Sequence, residues 1–99
     1  MAKFDVYRDV GKSPYVVDVQ SDIWWRLNIR MVIPLLRQND APTPAKGLNP
    51  SFTIEGVEYV LVTQFMAAVP TSALRNFVTT LSDYDTDIIN AIDSLLCGT

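Results

Sequence analysis

Apolar and polar positions alternate with period two from Lys3 to Val10. Phe4, Val6, Arg8 and Val10 fall on one side, with Lys3, Asp5, Tyr7 and Asp9 on the other, which predicts a half-buried strand. Gly11-Lys12-Ser13-Pro14 supplies a turn. Alternation resumes from Tyr15 to Gln20, with Tyr15, Val17 and Val19 opposite Val16, Asp18 and Gln20, so the first two strands form an antiparallel hairpin. Gln20-Ser21-Asp22 breaks the pattern and leads into Ile23-Trp24-Trp25, a loop or short turn. Ile29 to Leu36 is a third strand, in which Pro34 predicts an edge or a nearby bulge because proline cannot donate to the ladder.

Between Gln38 and Ser51 the chain turns to Asn, Asp, Pro, Thr and Gly, an irregular connection long enough to be a functional or mobile loop. Phe52–Ile54 and Val57–Gln64 flank Glu55-Gly56 and predict a tight hairpin. Met66–Pro70 and Leu74–Val78 read as shorter extended pieces. The tail changes period: Tyr84, Ile88, Ile92 and Leu96 recur every four residues, widened by Ile89, Ala91 and Leu95. Ser82 is the expected N-cap, Asp85 a weak capping-box partner and Gly98 the stop, giving one amphipathic helix over residues 83–97. The expected fold class is mainly β with one C-terminal α-helix, in a single domain spanning residues 1–99.

Composition agrees with a packed core: 48% of the 99 residues are apolar and 19% are charged, the reverse of a disordered chain. The net charge of −3 argues against a surface built to neutralise phosphates. The charge is uneven. Residues 1–50 carry seven Lys/Arg against five Asp, whereas residues 51–99 carry only Arg75 against six acids. Such polarity marks solvated faces or a docking surface of one sign.

Charges at Lys3 and Asp5 stand where a signal peptide needs an apolar run, and the uncharged stretch Tyr59–Leu74 is shorter than a membrane span. A soluble, cytoplasmic protein that binds no membrane is expected. The chain has no histidine, which removes the commonest base near neutral pH together with Ser-His-Asp and Cys-His catalysis. Cys97 is alone, so neither an intramolecular disulfide nor a cysteine-based metal site is available. Asp83, Asp85 and Asp87 lack the glycine turn and bidentate Glu of a calcium loop, and they suit a helix start instead. The four glycines are isolated, which excludes a phosphate-binding glycine loop. The inventory predicts no enzyme, no cofactor and no metal.

Val17-Asp18-Val19-Gln20-Ser21-Asp22-Ile23, Arg30-Met31-Val32-Ile33-Pro34-Leu35, Val69-Pro70, Leu81-Ser82 and a terminal helix with Ala91-Ile92 ending at Gly98 stand at familiar spacings. Together they closely resemble the CcdB family of plasmid-maintenance toxins, nearly end to end, with residues 38–51 the most divergent. The resemblance implies an SH3-like antiparallel barrel with a small additional sheet and a C-terminal helix, assembled as a symmetric homodimer. It implies a toxin that binds the DNA gyrase A subunit and traps the enzyme on cleaved DNA. It further implies a cognate CcdA-like antitoxin that folds onto the toxin, and operon repression in which DNA is contacted only through the antitoxin.

By position, the resemblance puts the gyrase-binding residues at Ile23 and Trp24 and at Asp93, Leu96, Cys97, Gly98 and Thr99. The best-known family pattern ends Trp-Gly-Ile, whereas this chain ends Cys97-Gly98-Thr99. An aromatic anchor is worth about 2 kcal/mol or more at an interface, and Trp24 with Trp25 would replace part of that area. Each residue also has a plainer role. Trp24 or Trp25 could pack in the core, Leu95 and Leu96 could form core or dimer seam, and Gly98 could be only a helix stop. Two further functions stay open: an antitoxin-binding regulatory module that has lost gyrase activity, and a ribonuclease, against which the missing histidine and the net negative charge weigh.

Overall fold

The computed structural model describes residues 2–98. Seven strands form one antiparallel sheet: β1 (Asp5–Val10), β2 (Ser13–Asp18), β3 (Ile29–Leu36), β4 (Ser51–Ile54), β5 (Val57–Leu61), β6 (Ala67–Pro70) and β7 (Asn76–Thr80). They lie in the order β4-β5-β3-β2-β1-β7, with β6 on β3 beside β5. A single helix, α1 (Asp85–Cys97), follows. The fold is therefore mostly β with one terminal helix, as the patterning predicts, and the sheet curls into a half-barrel. Among the described residues all seven strands belong to one sheet, β6 joining it through β3, so no additional sheet stands apart.

β3 is the hub. One side of it pairs with β2 from Tyr15↔Leu35 to Asp18↔Val32. The other side is shared, with β6 on Ile29–Val32 and β5 on Leu35–Leu36. Pro34 thus lies in an interior strand and not at an edge, at the point where β3 changes partner. Its carbonyl accepts the Val62 N–H at 3.0 Å, and the Val62 carbonyl accepts Phe65 N–H at 2.9 Å. A 3-10 turn, Thr63–Phe65, stands where the patterning extended the strand to Gln64.

Both faces of the sheet are covered, and this corrects the expected facing of β1. Val6, Val17, Ile33, Leu35 and Leu61 join Phe52, Leu81, Ile88 and Ala91 in the larger core under α1. Tyr7, Val10, Val16 and Val32 form a second cluster with Leu74, flanked by Val69 and Ala73. Arg8 is exposed, although simple alternation placed it with Val6. Asp9 adopts φ +60°, which breaks the alternation and sends Val10 to the side of Tyr7.

The β4–β5 hairpin turns on Glu55 (φ +51°) and Gly56 (φ +81°), the two positive φ values of a type I′ turn. The connection before it is pinned at its C-terminal end. Asn49 donates from Nδ2 to the Leu61 carbonyl (3.0 Å) and to Gln64 Oε1 (2.7 Å), and Thr63 Oγ1 donates to Leu48 O (2.6 Å).

α1 departs from its expected start. A 3-10 turn, Ser82–Tyr84, runs into the helix, and Tyr84 occupies the cap position without a side-chain hydrogen bond. Ser82 instead donates its backbone N–H to Thr80 Oγ1, while the Asp85 carboxylate accepts the Thr86 N–H. Asp85 and Asp87 still place negative charge in the first turn, where the helix dipole favours it. Gly98 ends the helix as expected, left-handed at φ +72°, with its N–H on Ser94 O at 3.1 Å. Of the apolar stripe, Ile88 and Ala91 are buried, whereas Tyr84, Ile89, Leu95 and Leu96 remain exposed.

Candidate functional site: an aromatic loop and a helix end

The β2–β3 connection carries a dense group of exposed apolar side chains. Asp22–Trp24 forms one 3-10 turn, closed by Trp24 N–H on Ser21 O and followed by Leu27 N–H on Trp24 O, each at 3.1 Å. So short a turn has no interior to bury its side chains. Ile23 is 77% exposed, and Trp24, Trp25 and Leu27 are also exposed. The two tryptophans are not on a strand and neither enters the core. Together with Arg26 they line a shallow depression, in which the Arg26 guanidinium lies 5.0 Å from the Trp25 ring centroid.

Beneath this loop is a buried polar cluster. Asp18 and Arg30 are 0% and 1% exposed. Arg30 Nε donates to Asp18 Oδ2 at 2.9 Å, and its Nη2 makes an ion-pair contact with the same oxygen at 2.6 Å. Asp18 Oδ1 accepts the Gln20 N–H at 3.0 Å. Burial pushes the Asp18 carboxyl above its usual range, while the hydrogen bonds from Arg30 and Gln20 and the arginine charge pull it back. Burial, with the neighbouring Asp5 and Asp18 charges, also raises the Tyr7 phenol.

Asp22 links this cluster to the surface: its Oδ1 lies 3.6 Å from Arg30 Nη2 and accepts the Lys3 N–H at 2.9 Å. The far end of the loop is held by Thr71, whose N–H donates to Asn28 O (2.9 Å) and whose Oγ1 donates to Leu27 O (3.2 Å). The Val-Asp-Val-Gln-Ser-Asp run is therefore the scaffold of the loop that follows it.

The second group of expected residues sits at the end of α1. Leu96 is 68% exposed, and Asp93, Cys97 and Gly98 are exposed beside it. Leu95 is partly exposed and joins neither core cluster, so the helix end is free of the core. The structure thus places Ile23 and Trp24 together on one element, and Asp93, Leu96, Cys97 and Gly98 together on another. Thr99 lies outside the described residues.

Trp25 is exposed beside Trp24, and Leu27 and the half-exposed Ile29 extend the loop surface beyond the residues expected from sequence. The signal for the supporting cluster was present: Asp18 and Gln20 share a strand face with Val16, and a carboxylate on a covered face needs a cation. Among the described residues, no group of three or more Cys, Asp or Glu is arranged to hold a metal ion, and no helix is long and apolar enough to cross a membrane.

A curled half-barrel with one terminal helix, with exposed apolar side chains grouped on the β2–β3 loop and at the helix end, defines the class of protein by its architecture. A family model described as CcdB protein matches residues 3–98, nearly the whole chain. The chain belongs to the CcdB family, and so to the toxins of toxin–antitoxin pairs.

Proposed function

We propose that this toxin acts by binding and not by catalysis, and that its target is the A subunit of DNA gyrase, which it traps on cleaved DNA. The observation that carries this reading is the exposure of Ile23, Trp24 and Leu96 on elements whose backbones are fixed. Apolar side chains held out on ordered backbone favour a protein partner, because little further ordering is needed to bury them. Asp93, Cys97, Gly98 and Thr99 complete the contact surface at the helix end. Gly98 lets backbone approach closely, since no Cβ intervenes.

Two copies assemble through the apolar stripe of α1 that the monomer core leaves exposed, including Ile89 and Leu95. A two-fold toxin presents paired tails to the two-fold gyrase A dimer and gains avidity without a new kind of contact. A CcdA-like antitoxin neutralises the toxin, and the pair represses its own operon with the antitoxin supplying the DNA contacts. The net charge of −3 suits that division.

The test is a cleavage assay with purified protein, gyrase and supercoiled plasmid. Accumulation of linear DNA after denaturing the gyrase is the expected result. Unchanged supercoiling and no linear DNA at stoichiometric excess would overturn the reading, and antitoxin binding under those conditions would favour the regulatory module.

A further inference from the structure

One side chain lying beneath the Ile23–Leu27 surface reaches both of its arms. Gln20 is 8% exposed, and its amide spans the loop. From Nε2 it donates to Trp24 O near the start of the loop and to Ile29 O beyond its end, both at 3.3 Å. Its Oε1 accepts the Met31 N–H at 3.2 Å, which fixes the amide orientation. Its backbone N–H is anchored on the buried Asp18 carboxylate. All the polar capacity of the amide is thus directed at one task, with both donors on the two arms of the loop and the acceptor on the strand.

We infer that Gln20 is the positioning residue of the recognition loop, a clasp that presents Trp24 and Trp25 to the partner in one arrangement. This rests on the gyrase-binding reading for the identity of the partner, while the clasp itself rests on the hydrogen bonds. Hydrophobic replacement at position 20 would leave Trp24 O with only the Leu27 N–H, take the side-chain acceptor from the Met31 N–H, and free the Ser21–Asn28 segment between its remaining ties at Asp22 and Thr71.

The chain offers a direct probe, because its two tryptophans both lie in this loop. Gln20→Met removes all three side-chain hydrogen bonds at similar size. Gln20→Glu keeps the acceptor for Met31 but lacks both donors. Ile88→Val, a trim of the fully buried helix core far from the loop in sequence, serves as a control for general loosening. Time-resolved tryptophan anisotropy should gain a fast local component in both Gln20 variants and not in Ile88→Val. Affinity for the gyrase A subunit should fall roughly tenfold or more, the equivalent of two ordinary hydrogen bonds lost from a preorganised loop.

Wild-type anisotropy in both Gln20 variants would overturn the inference. So would the same fast component in Ile88→Val, or loosened tryptophans with unchanged affinity. If the wild-type protein does not bind gyrase at all, the functional reading fails, and the anisotropy comparison still decides the clasp. Should Gln20→Met not fold, Gln20→Glu carries the comparison.

Discussion

Arg30→Met should be among the most damaging single substitutions in this protein, and the damage should depend on pH. The variant keeps the bulk of the side-chain stem but removes the guanidinium that contacts Asp18 Oδ2 at 2.9 and 2.6 Å. Asp18, with no exposed surface, is then a buried carboxylate without a cation. Breaking a buried pair in this way costs about 3–5 kcal/mol. A domain of this size has roughly 5–15 kcal/mol in total, so much of the stability would be lost. At roughly 4–8 °C per kcal/mol for a chain of this length, the melting temperature should fall by at least ~12 °C at neutral pH.

The sign of the pH effect follows from Asp18. Burial already raises its folded pKa above the unfolded value, and Arg30 is among the groups holding it down. Without Arg30 the folded value rises further. A raised carboxyl contributes stability that is present below its unfolded pKa and lost as pH rises through the folded pKa. The deficit of Arg30→Met relative to wild type should therefore be largest near pH 7 and shrink as pH is lowered toward the unfolded range of aspartate.

Urea unfolding followed by far-UV circular dichroism at several pH values measures this directly. Asp18→Asn combined with Arg30→Met, which retains an oxygen for the Gln20 N–H and leaves no buried charge, should recover most of the loss. A deficit below about 1 kcal/mol at pH 7, against the ~3–5 expected for a broken buried pair, would refute the reasoning. A deficit that grows on acidification would refute it as well.

Five other outcomes are expected. Deleting Cys97-Gly98-Thr99 should abolish gyrase trapping while leaving the melting temperature nearly unchanged, because Cys97 and Gly98 are exposed and a chain terminus adds little to a core; Cys97→Trp should strengthen trapping, and cleavage assays with melting curves check both. Light scattering at micromolar concentration should give about twice the 11.1 kDa chain mass, and adding the carboxy-terminal half of the antitoxin should raise the melting temperature with concentration. Gly56→Ala should cost about 1 kcal/mol through its φ of +81° alone, since an added Cβ meets no atom within 4 Å; urea unfolding should show this with an unchanged m-value.

The elements that could be read in the sequence are those whose signals are local. Gly11 and Glu55-Gly56 marked two hairpins, and Tyr84, Ile88, Ile92 and Leu96 marked the helix with its stop at Gly98. Local signals failed where both sheet faces are covered. Tyr7 and Val6 are both buried, on opposite sides, and Val10 joins the side of Tyr7, so simple alternation wrongly grouped the exposed Arg8 with the core positions. Ser82 had the right chemistry for a cap, but the preceding 3-10 turn moved the helix start past it. Ile23, Trp24, Asp93, Leu96, Cys97 and Gly98, which the family resemblance singles out, are exposed. Of the Asp18–Gln20–Arg30 cluster only the need is legible in sequence, a carboxylate on a covered strand face; which cation answers it depends on β2 and β3 lying side by side, which no short window of sequence encodes.

Pro34 acts on a strand other than its own. In the β3–β5 register it stands opposite Val62, one step past the Leu35↔Leu61 pair, and it lends a carbonyl there but no N–H. The Val62 carbonyl, denied a donor from β3, is left to accept Phe65 N–H, and that bond winds the turn that ends β5. The chain then comes back along the other half of β3 as β6. One absent hydrogen in the middle of the sheet thus works as punctuation for a neighbour far along the sequence. It decides where β5 stops and gives β3 room for a second partner, β6, which delivers Thr71 just past its end to tie down the loop of tryptophans.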